Sequence, residues 1–513
     1  MLTLIAAIAV VAAFSLFNHP LVPSMEPRFA EAVREMAQSG HWLAPIKNGV
    51  PYIEYPPLYF WLGLAGKLAG LPEPAAVRLP AALALLAWLW ALARLSRTLT
   101  PEWPEWLAPL IGAALPIVLG NFFLAQTDGL LALGVLIALC GHAEVRLGKI
   151  PSGKFPWRLW SGAVLAVAAK GPVGLAIIGL AMGGELLLAA FSPGGGGWRA
   201  LWKDSMRLRP FSGLALALGL NAPWYLASGL TLGWEFCRAV LVYQNVTRFT
   251  IGFDHLQPAW YYLKTIWGDF FPLSILLPFA LHPLWRRRGE LPARLALSWT
   301  ILPIIFFTLS HSKQGKYLLP LAPGIILASF VALAQWRGEN AARARVQRGL
   351  IGWSIAVLAI FAIGIICVLP FYRYKIGDSQ SYEKIRAELQ ARPGKLFTYR
   401  WPRAAMLYEL GHPLPWLREP RSLYAALVNG GMKPGDYLLL DSKHLPPPAG
   451  PGDAPALMPA PAPPYLIQVL DLREKAGKPG LLLYRVAPEA PVQIPPATAE
   501  PEPVQWWEKF DTD

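Results

Sequence analysis

Residues 24–67 read SMEPRFAEAVREMAQSGHWLAPIKNGVPYIEYPPLYFWLGLAGK and follow directly on the first apolar segment of the chain. Proline is tolerated in the first turn of a helix, so Pro27 predicts a helix that begins at about Glu26. Gly40 is the residue type that commonly ends a helix. One apolar face would be formed by Phe29, Val33, Met36 and Ala37. The stretch is too polar to cross a bilayer.

A second helix is predicted after the Pro56-Pro57 pair, from Leu58 to Ala69. It is rich in aromatic residues, which suits a helix that lies in a membrane interface. The irregular loop between the two helices carries three polar residues, namely Lys47, Tyr52 and Glu54. Residues 24–67 are therefore interpreted as a structured, wet and acidic segment that lies against a membrane.

The composition indicates a membrane protein with many spans. The chain has 513 residues, of which 54% are hydrophobic and only 15% are charged, and it has 22 tryptophans. Residues 1–17 carry no charge but lack a basic region and a cleavage site, so they are interpreted as a retained first span. The net charge of +14 lies in short loops between apolar segments, which argues against a nucleic-acid partner.

Eleven apolar segments are suitable as spans, with ten to thirteen as the range, since several are shorter than the usual ~20 residues. They are residues 1–17, 76–95, 104–124, 129–145, 157–169, 172–191, 211–229, 263–284, 292–310, 318–336 and 349–370.

Lysine and arginine concentrate in alternate loops, which predicts that these loops are cytoplasmic. The opposite side would receive residues 18–75, a long loop at 230–262, the HSKQGKY turn and everything after Pro370. The sequence therefore predicts a transmembrane domain over 1–370 and a small α/β domain over 371–513. In the latter, a helix is predicted at 382–389 and strands at 395–398, 437–440 and 480–486, with extended Pro-rich segments at 446–464 and 487–504.

Charged residues at the ends of apolar spans are functional candidates, and the predicted topology brings many of them to one membrane surface. The group comprises Asp128, Lys170, Arg248, Asp254, His255, His311, Lys313, Lys316 and Tyr317. Cations beside a bilayer suit the phosphate or pyrophosphate of a lipid headgroup. A carboxylate suits activation of an acceptor, or stabilisation of a sugar carbon as its bond to phosphate breaks.

Simpler explanations exist for several of these residues. Glu31, Arg34 and Glu35 have the spacing of ordinary helix-surface pairs. Lys170 next to Gly-Pro suits an interfacial lysine, and Asp128 suits a helix cap. A lipid-linked saccharide transporter would also need phosphate-binding cations, but it predicts charges at mid-membrane rather than at one face.

Seven sequence segments resemble the bacterial GT-C glycosyltransferases of the protein O-mannosyltransferase-like group, which includes the lipid A aminoarabinose transferase. They are MEPRFAEAVREM, YIEYPPLYFW, QTDGLLALGVL, AAKGPVGL, NAPWYLA, RFTIGFDHLQPAWYY and HSKQGKYLLPLAP, in the family's order over about residues 20–325. The resemblance implies an enzyme of the bacterial inner membrane. It would transfer a sugar from undecaprenyl phosphate to a lipid A-type or other envelope acceptor at the periplasmic face, with the C-terminal domain in the periplasm.

The chain departs from that family at two positions. Met25 stands where the family's acidic motif has aspartate, which leaves Glu26 as the acid and Arg28 as the matching arginine. Tyr55 stands where many members have a lysine that is associated with the donor phosphate. The resemblance does not supply a replacement for this lysine, and the hypothesis here is that Lys170, Arg248, Lys313 or Lys316 holds the phosphate instead. Tyr317 matches a family tyrosine near that phosphate.

The predicted site has two groups of residues. Glu26 would act as base or electrostatic anchor, with Asp128 and Glu54 in support. The donor and its phosphate would be bound by Arg28, Lys170, Arg248, His255, Lys313, Lys316 and Tyr317. The spacing of Glu26, Glu54, Asp128 and His255 is not diagnostic of a metal site, so a divalent cation stays an open alternative.

Overall fold

The computed structural model of the protein describes residues 1–22, 25–252, 254–334, 340–372, 379–399, 402–417, 431–441, 466–472 and 481–487. Residues up to 372 form a helical bundle that contains one two-stranded hairpin, and those from 379 onwards form a mixed α/β unit.

The first half of the bundle contains nine helices among the described residues. They are α1 Leu2–Phe17, α2 Glu26–Ser39, α3 Leu58–Leu68, α4 Glu73–Leu99, α5 Leu107–Ala114, α6 Pro116–Phe122, α7 Asp128–Arg146, α8 Trp157–Lys170 and α9 Val173–Phe191. Helices α2 and α3 begin where the prolines predicted, which confirms both. Gly40 follows α2 with a φ of 70°, the left-handed conformation that commonly ends a helix.

The second half continues with nine further helices in the described ranges. They are α10 Gly197–Arg207, α11 Pro210–Leu232, α12 Trp234–Arg238, α13 Arg248–Thr250, α14 Tyr261–Asp269, α15 Leu273–Arg286, α16 Leu291–Leu309, α17 Ala322–Ala334 and α18 Asn340–Ile363. A π-helical stretch, Ala239–Thr247, joins α12 to α13, and a 3-10 helix, Gly315–Leu321, precedes α17. The predicted loop at 230–262 is thus largely helical, which its sequence did not indicate.

Every segment that the sequence predicted as a span is helical over most of its length. Within the described ranges, six helices are long and apolar enough to cross a membrane, or seven if a bent pair counts as one span. The bent pair is α14 and α15, whose axes differ by 111°. The prediction of a helical membrane protein with many spans is confirmed, whereas the predicted span at 263–284 is broken between Asp269 and Leu273.

A tight hairpin lies between α2 and α3, where the sequence predicted an irregular loop. Strands β1 Ile46–Lys47 and β2 Val50–Pro51 pair antiparallel around Asn48-Gly49. Both turn residues have positive φ, at 53° and 77°, which is the geometry that favours Asn-Gly in two-residue hairpins. Their backbone N–H groups donate to the Glu35 carboxylate at 2.6 and 2.8 Å, so α2 holds the hairpin in place.

The C-terminal unit contains α19 Ser379–Ala391 and α20 Ala404–Leu410 beside a five-stranded sheet. Its strands are β3 Leu396–Tyr399, β4 Trp416–Leu417, β5 Tyr437–Asp441, β6 Leu466–Asp471 and β7 Leu481–Val486, in the order β4-β3-β5-β7-β6. Strand β3 is parallel to β4 and β5, whereas β7 is antiparallel to its neighbours. The predicted α/β character is confirmed. The Pro-rich segment at 446–464, and all of the one at 487–504 except its first residue, lie outside the described residues.

Helix α2 is buried beneath the C-terminal unit. Arg34 pairs with Glu31 at 2.5 Å and donates to the carbonyl of Leu407 in α20 at 3.4 Å. Asn48 exchanges two hydrogen bonds with the backbone of Leu414, at 2.7 and 3.1 Å. The interpretation of Glu31, Arg34 and Glu35 as exposed surface pairs was therefore wrong, because all three are at most 7% exposed.

Helices α7 and α8 pack backbone against backbone. A Cβ atom on Gly162 would lie 2.4 Å from the amide nitrogen of Ala138, and one on Gly134 would lie 2.7 Å from that of Ala166. Small residues at such positions allow two membrane helices to approach closely. The ends of this pair carry Asp128, at the start of α7, and Lys170, at the end of α8.

We expect Gly162→Ala to destabilise the protein by about 1–3 kcal/mol, since the added methyl group has no room between two backbones. Gly179→Ala in α9 is the matched control, because a Cβ atom there meets no atom within 4 Å. Thermal unfolding in detergent measures both. Equal melting temperatures for the two variants would contradict the close packing of α7 and α8.

Candidate active site

A cavity of about 300 Å³ lies among α8, α9, the end of α16, the 244–250 segment and the loop that precedes α3. Its polar lining includes Glu54, Tyr55, Lys170, Arg248, Ser310, Ser312 and Tyr317. Its apolar lining includes Leu131, Val173, Ala176, Val246, Phe249, Phe306 and Phe307. One cavity thus offers both cationic and apolar contacts, which suits an amphiphilic ligand.

A buried ion pair joins α7 to α8 at this cavity. The carboxylate of Asp128 is only 1% exposed and lies 2.5 Å from the Lys170 ammonium. The ammonium of Lys316 lies 3.8 Å from the same carboxylate and 3.8 Å from the sulfur of Met25. A carboxylate removed from water needs such partners, because an unpaired buried charge is costly.

Two tyrosine rings flank the Lys170 ammonium. It lies 4.9 Å from the ring centre of Tyr317 and 5.7 Å from that of Tyr55. Both distances are within the range of cation–π attraction. Burial, followed by the nearby Glu54 and Asp128 carboxylates, raises the pKa of Tyr55, so its phenol stays protonated. Lys170 is therefore held at the cavity wall by one carboxylate and two rings.

Arg248 is oriented by the loop that follows it. Its guanidinium forms a two-pronged pair with the carboxylate of Asp254 and donates to the side chain of Gln244 at 3.0 Å. Burial by itself would lower the pKa of Arg248, but the Asp254 contact outweighs it and the pKa is raised. The Ser312 hydroxyl donates to the carbonyl of Asp254 at 2.7 Å, which fixes this loop to the turn before the 3-10 helix.

Glu54 and Arg28 form a second ion pair at the cavity. One guanidinium nitrogen of Arg28 lies 3.2 and 3.3 Å from the two carboxylate oxygens of Glu54. The Glu54 side chain is 2% exposed and lines the cavity, whereas Arg28 reaches it from the first turn of α2.

Glu26 has a different environment. Its carboxylate accepts two hydrogen bonds from Arg78, at 2.7 and 2.8 Å, and two from the backbone N–H groups of Val22 and Ala125. The residue is fully buried and does not line the cavity. Arg78 was not among the residues predicted for the site, although an arginine among the apolar residues of α4 is itself a signal.

The remaining predicted residues lie at the 311–313 turn and the loop that packs against it. Lys313 donates to the carbonyls of Ser310 and Gln257. The side chain of His255 is 55% exposed, and its backbone carbonyl accepts a hydrogen bond from the Lys313 amide. Burial lowers the pKa of His255, which favours the neutral ring.

The structure therefore brings Glu54, Lys170, Arg248 and Tyr317 together at the cavity wall. Asp128 and Lys316 join them through ion pairs. Among the described residues, no three His, Cys, Asp or Glu side chains converge as a metal site would require. The carboxylates that were considered as ligands contact Arg78, Arg28 and Lys170 instead.

Comparisons with known proteins give one consistent result, although no protein-family model matches the chain. It is 26% identical over 357 residues to undecaprenyl phosphate-alpha-4-amino-4-deoxy-L-arabinose arabinosyl transferase 1 of Pseudomonas fluorescens, covering 68% of this chain and 60% of that protein. It is 28% identical over 365 residues to the corresponding transferase of Pectobacterium carotovorum, covering 69% and 63%. The chain thus spans about three fifths of the length of these relatives.

Solved structures share the fold. The crystal structure of ArnT from Cupriavidus metallidurans bound to undecaprenyl phosphate superposes with a TM-score of 0.71 at 21% identity, covering 94% of this chain and 97% of that one. The apo oligosaccharyltransferase of Archaeoglobus fulgidus superposes with a TM-score of 0.52 at 14% identity, covering 86% and 69%. The resemblance inferred from the sequence segments is confirmed.

We expect Arg78→Met to destabilise the protein by about 3–5 kcal/mol, because it leaves the fully buried Glu26 carboxylate without its charged partner. Arg97→Met in the same helix is the control, since Arg97 forms an exposed pair with Glu105 at 3.6 Å that contributes at most about 1 kcal/mol. Thermal unfolding in detergent compares the two. Similar losses in both variants would show that Arg78 does not anchor Glu26.

Proposed function

We propose that this chain, an ArnT-like protein with the GT-C fold, is a glycosyltransferase that moves a sugar from undecaprenyl phosphate to an envelope acceptor. The acceptor would be lipid A or a similar molecule at the periplasmic face of the bacterial inner membrane. The observation that carries the proposal is the cavity in which Lys170 and Arg248 lie beside an apolar lining. Such a lining suits a prenyl chain, and the two cations suit its phosphate.

The side chains at the cavity suit a phosphate that must be bound and then released. Arg248 is held by Asp254, and Lys170 by Asp128, so both cations are placed before a ligand arrives. Preorganised charges stabilise a developing anion without further reorganisation. Lys170 also lies against the ring of Tyr55, the position where many family members have the phosphate-associated lysine. We infer that Lys170 takes over this role.

The proposed reaction is a displacement at the anomeric carbon, with inversion. The bond from this carbon to the phosphate oxygen breaks, its electron pair goes to the phosphate, and an acceptor oxygen forms the new bond. Lys170, Arg248 and Lys316 would stabilise the phosphate dianion as it leaves. Glu54 would face the cationic sugar carbon, as a carboxylate does in glycosidases.

The role of Glu26 depends on the acceptor. A hydroxyl acceptor needs a base, whereas a lipid A phosphate is already anionic and needs none. The four hydrogen bonds that Glu26 accepts from Arg78 and two backbone amides leave it little capacity to take a proton. We therefore propose a positioning role for Glu26 and a phosphate acceptor. Aminoarabinose is the sugar that the relatives' names suggest.

Two other functions fit less well. A protein or envelope-glycan acceptor would use the same donor cavity, and the likeness to an archaeal oligosaccharyltransferase keeps it as the second candidate. A transporter of lipid-linked saccharides would need charges at mid-membrane and access from both faces. Here Asp128 and Lys170 lie at the ends of α7 and α8 that face the α2–α3 segment.

The transfer activity can be tested by mass spectrometry of a bacterial lipid extract after incubation with the purified protein. We expect wild type to consume a glycosyl undecaprenyl phosphate and to add the matching mass to a second molecule, which identifies both substrates. Lys170→Ala/Arg248→Ala should be at least about 100-fold slower, since two charge-assisted contacts to the phosphate are lost.

Lys149→Ala/Arg199→Ala is the matched control, because it removes the same charge from residues that do not line the cavity. We expect its rate to stay within about twofold of wild type. Absence of donor consumption across several extracts would contradict the proposal and favour transport, for which lipid flipping in vesicles is the next assay.

The roles of the two carboxylates Glu26 and Asp128 can be distinguished by comparing Glu26→Gln with Asp128→Asn in the same assay. We expect Asp128→Asn to be about 100-fold slower, because Lys170 and Lys316 lose their shared counter-charge and shift from the phosphate. Glu26→Gln should keep the wild-type pH profile, since no proton is transferred to it. Loss of activity in Glu26→Gln on a hydroxyl acceptor, with loss of the acidic limb of the pH profile, would make Glu26 the base.

A further inference from the structure

A second cavity, of about 200 Å³, lies at the opposite ends of α7 and α8 from the candidate active site. Helix α7 has 19 residues, so about 28 Å separates Asp128 from this cavity. It opens between the loop that joins α7 to α8 and the C-terminal half of α10. Four cations line it, namely Lys154, Lys203, Arg207 and Arg209, beside the apolar residues Val145, Ile150 and Met206.

Within the described part of the chain, the cations that line this cavity lack the carboxylate partners that nearby arginines have. Close by, Arg146 pairs with Asp204 and Glu185, and Arg158 pairs with Glu144. Across the described ranges, no carboxylate lies within ion-pair distance of Lys154, Lys203 or Arg207. Several like charges around one cavity repel each other, and an anion bound between them would relieve that repulsion.

Arg209 is held by the backbone rather than by an acid. It has a φ of 54°, a left-handed conformation at the turn between α10 and α11. Its guanidinium donates to the carbonyl of Gly153 at 2.7 Å, which ties the α7–α8 loop to the turn between α10 and α11. A guanidinium has five N–H donors, so this single bond leaves capacity for a phosphate oxygen.

Helix α10 has the character of a helix that lies in a membrane interface. None of its residues is buried, and Trp198 and Trp202 are 73% and 65% exposed. These two tryptophans are four residues apart and share one face, whereas Arg199, Lys203 and Arg207 occupy the adjacent face. Tryptophan marks the headgroup level of a bilayer, and the helix connects the ends of two apolar helices, α9 and α11.

We propose that this cavity binds the phosphate of an anionic phospholipid headgroup, with Lys203, Arg207 and Arg209 as the principal contacts. The exposed tryptophans of α10 place the cavity at the bilayer surface, which favours a lipid over a soluble phosphate. The sequence alone suggested only that basic loops set the orientation of the chain, and orientation requires no cavity. Basic pockets between membrane helices on the cytoplasmic side are suited to anionic headgroups.

The test measures lipid selectivity of the full-length protein in nanodiscs of phosphatidylcholine. Electron spin resonance compares the association of spin-labelled phosphatidylglycerol with that of spin-labelled phosphatidylcholine, at low ionic strength. We expect wild type to prefer phosphatidylglycerol about tenfold or more. Lys203→Gln/Arg207→Gln should reduce the preference to about twofold or less, because each cation near a membrane surface contributes roughly a fivefold factor.

Lys149→Gln/Arg199→Gln is the matched control. It removes the same charge from the same end of the bundle, and Arg199 is on α10, but neither residue lines the cavity. A preserved preference in this control supports the site. An equal loss in both double variants would overturn it in favour of general surface charge, and so would the absence of any preference in wild type.

A competition experiment separates the two sources of phosphate. Inorganic phosphate is added at 10 mM, with ionic strength held constant by chloride. The preference for phosphatidylglycerol should stay within twofold of the preference measured without phosphate. Complete displacement of the labelled phosphatidylglycerol would overturn the lipid assignment and indicate a site for soluble phosphate. Both outcomes are independent of glycosyl transfer, which is measured separately.

Discussion

The buried ion pair between Asp128 and Lys170 fixes the part of the structure on which the candidate site depends. Its two residues sit at adjacent ends of α7 and α8, and they meet at 2.5 Å because glycines let the two helix backbones touch. Separating a buried carboxylate from its ammonium would leave two uncompensated buried charges, which is costly, so the ends of the helices are held in register. Lys170 therefore stands at the cavity wall in a defined position, between the rings of Tyr55 and Tyr317.

The site as a whole has more cations than carboxylates. Four cations, Arg28, Lys170, Arg248 and Lys316, accompany three carboxylates, Glu54, Asp128 and Asp254. The group as a whole is positive, and each cation is oriented by a partner before a ligand arrives. This arrangement suits binding of a phosphate next to a bilayer, where the apolar lining of the cavity can take the attached chain. Glu26 contributes to the scaffold through Arg78, which also donates to the carbonyls of Ser15, His19 and Pro20.

The segment from α2 to α3 connects the bundle to the C-terminal unit. Glu35 accepts hydrogen bonds from the turn at Asn48-Gly49, and Asn48 in turn bonds to Leu414. Arg34 reaches the carbonyl of Leu407 from the same helix. Helix α2 therefore contacts both parts of the protein. Arg34 on this helix bonds to the C-terminal unit, and Arg28 in its first turn pairs with Glu54 at the cavity.

Local signals predicted much of the structure. Pro27 and Gly40 bound α2 as expected. The apolar segments are helical because a backbone without access to water must satisfy its hydrogen bonds internally. Asp128, Lys170 and Lys316 lie close together, as the predicted topology of the spans indicated. Two features were not predicted. One is the hairpin, although the Asn-Gly pair in the sequence is a signal for it, and the other is the role of Arg78, which lies in a segment interpreted as an apolar span.

The amino-acid sequence by itself determined which segments are helical, that they belong in a membrane, and which charged residues lie at their ends, since these properties depend on residues close together in the chain. The tertiary structure decided the partner of each charge. Glu26 meets Arg78 rather than the cavity, Glu31 is buried and pairs with Arg34, and the four cations at the far end of α7 line a cavity whose described lining has no carboxylate. Such pairings join residues tens to hundreds of positions apart, and only the packing of the helices brings them within reach of each other.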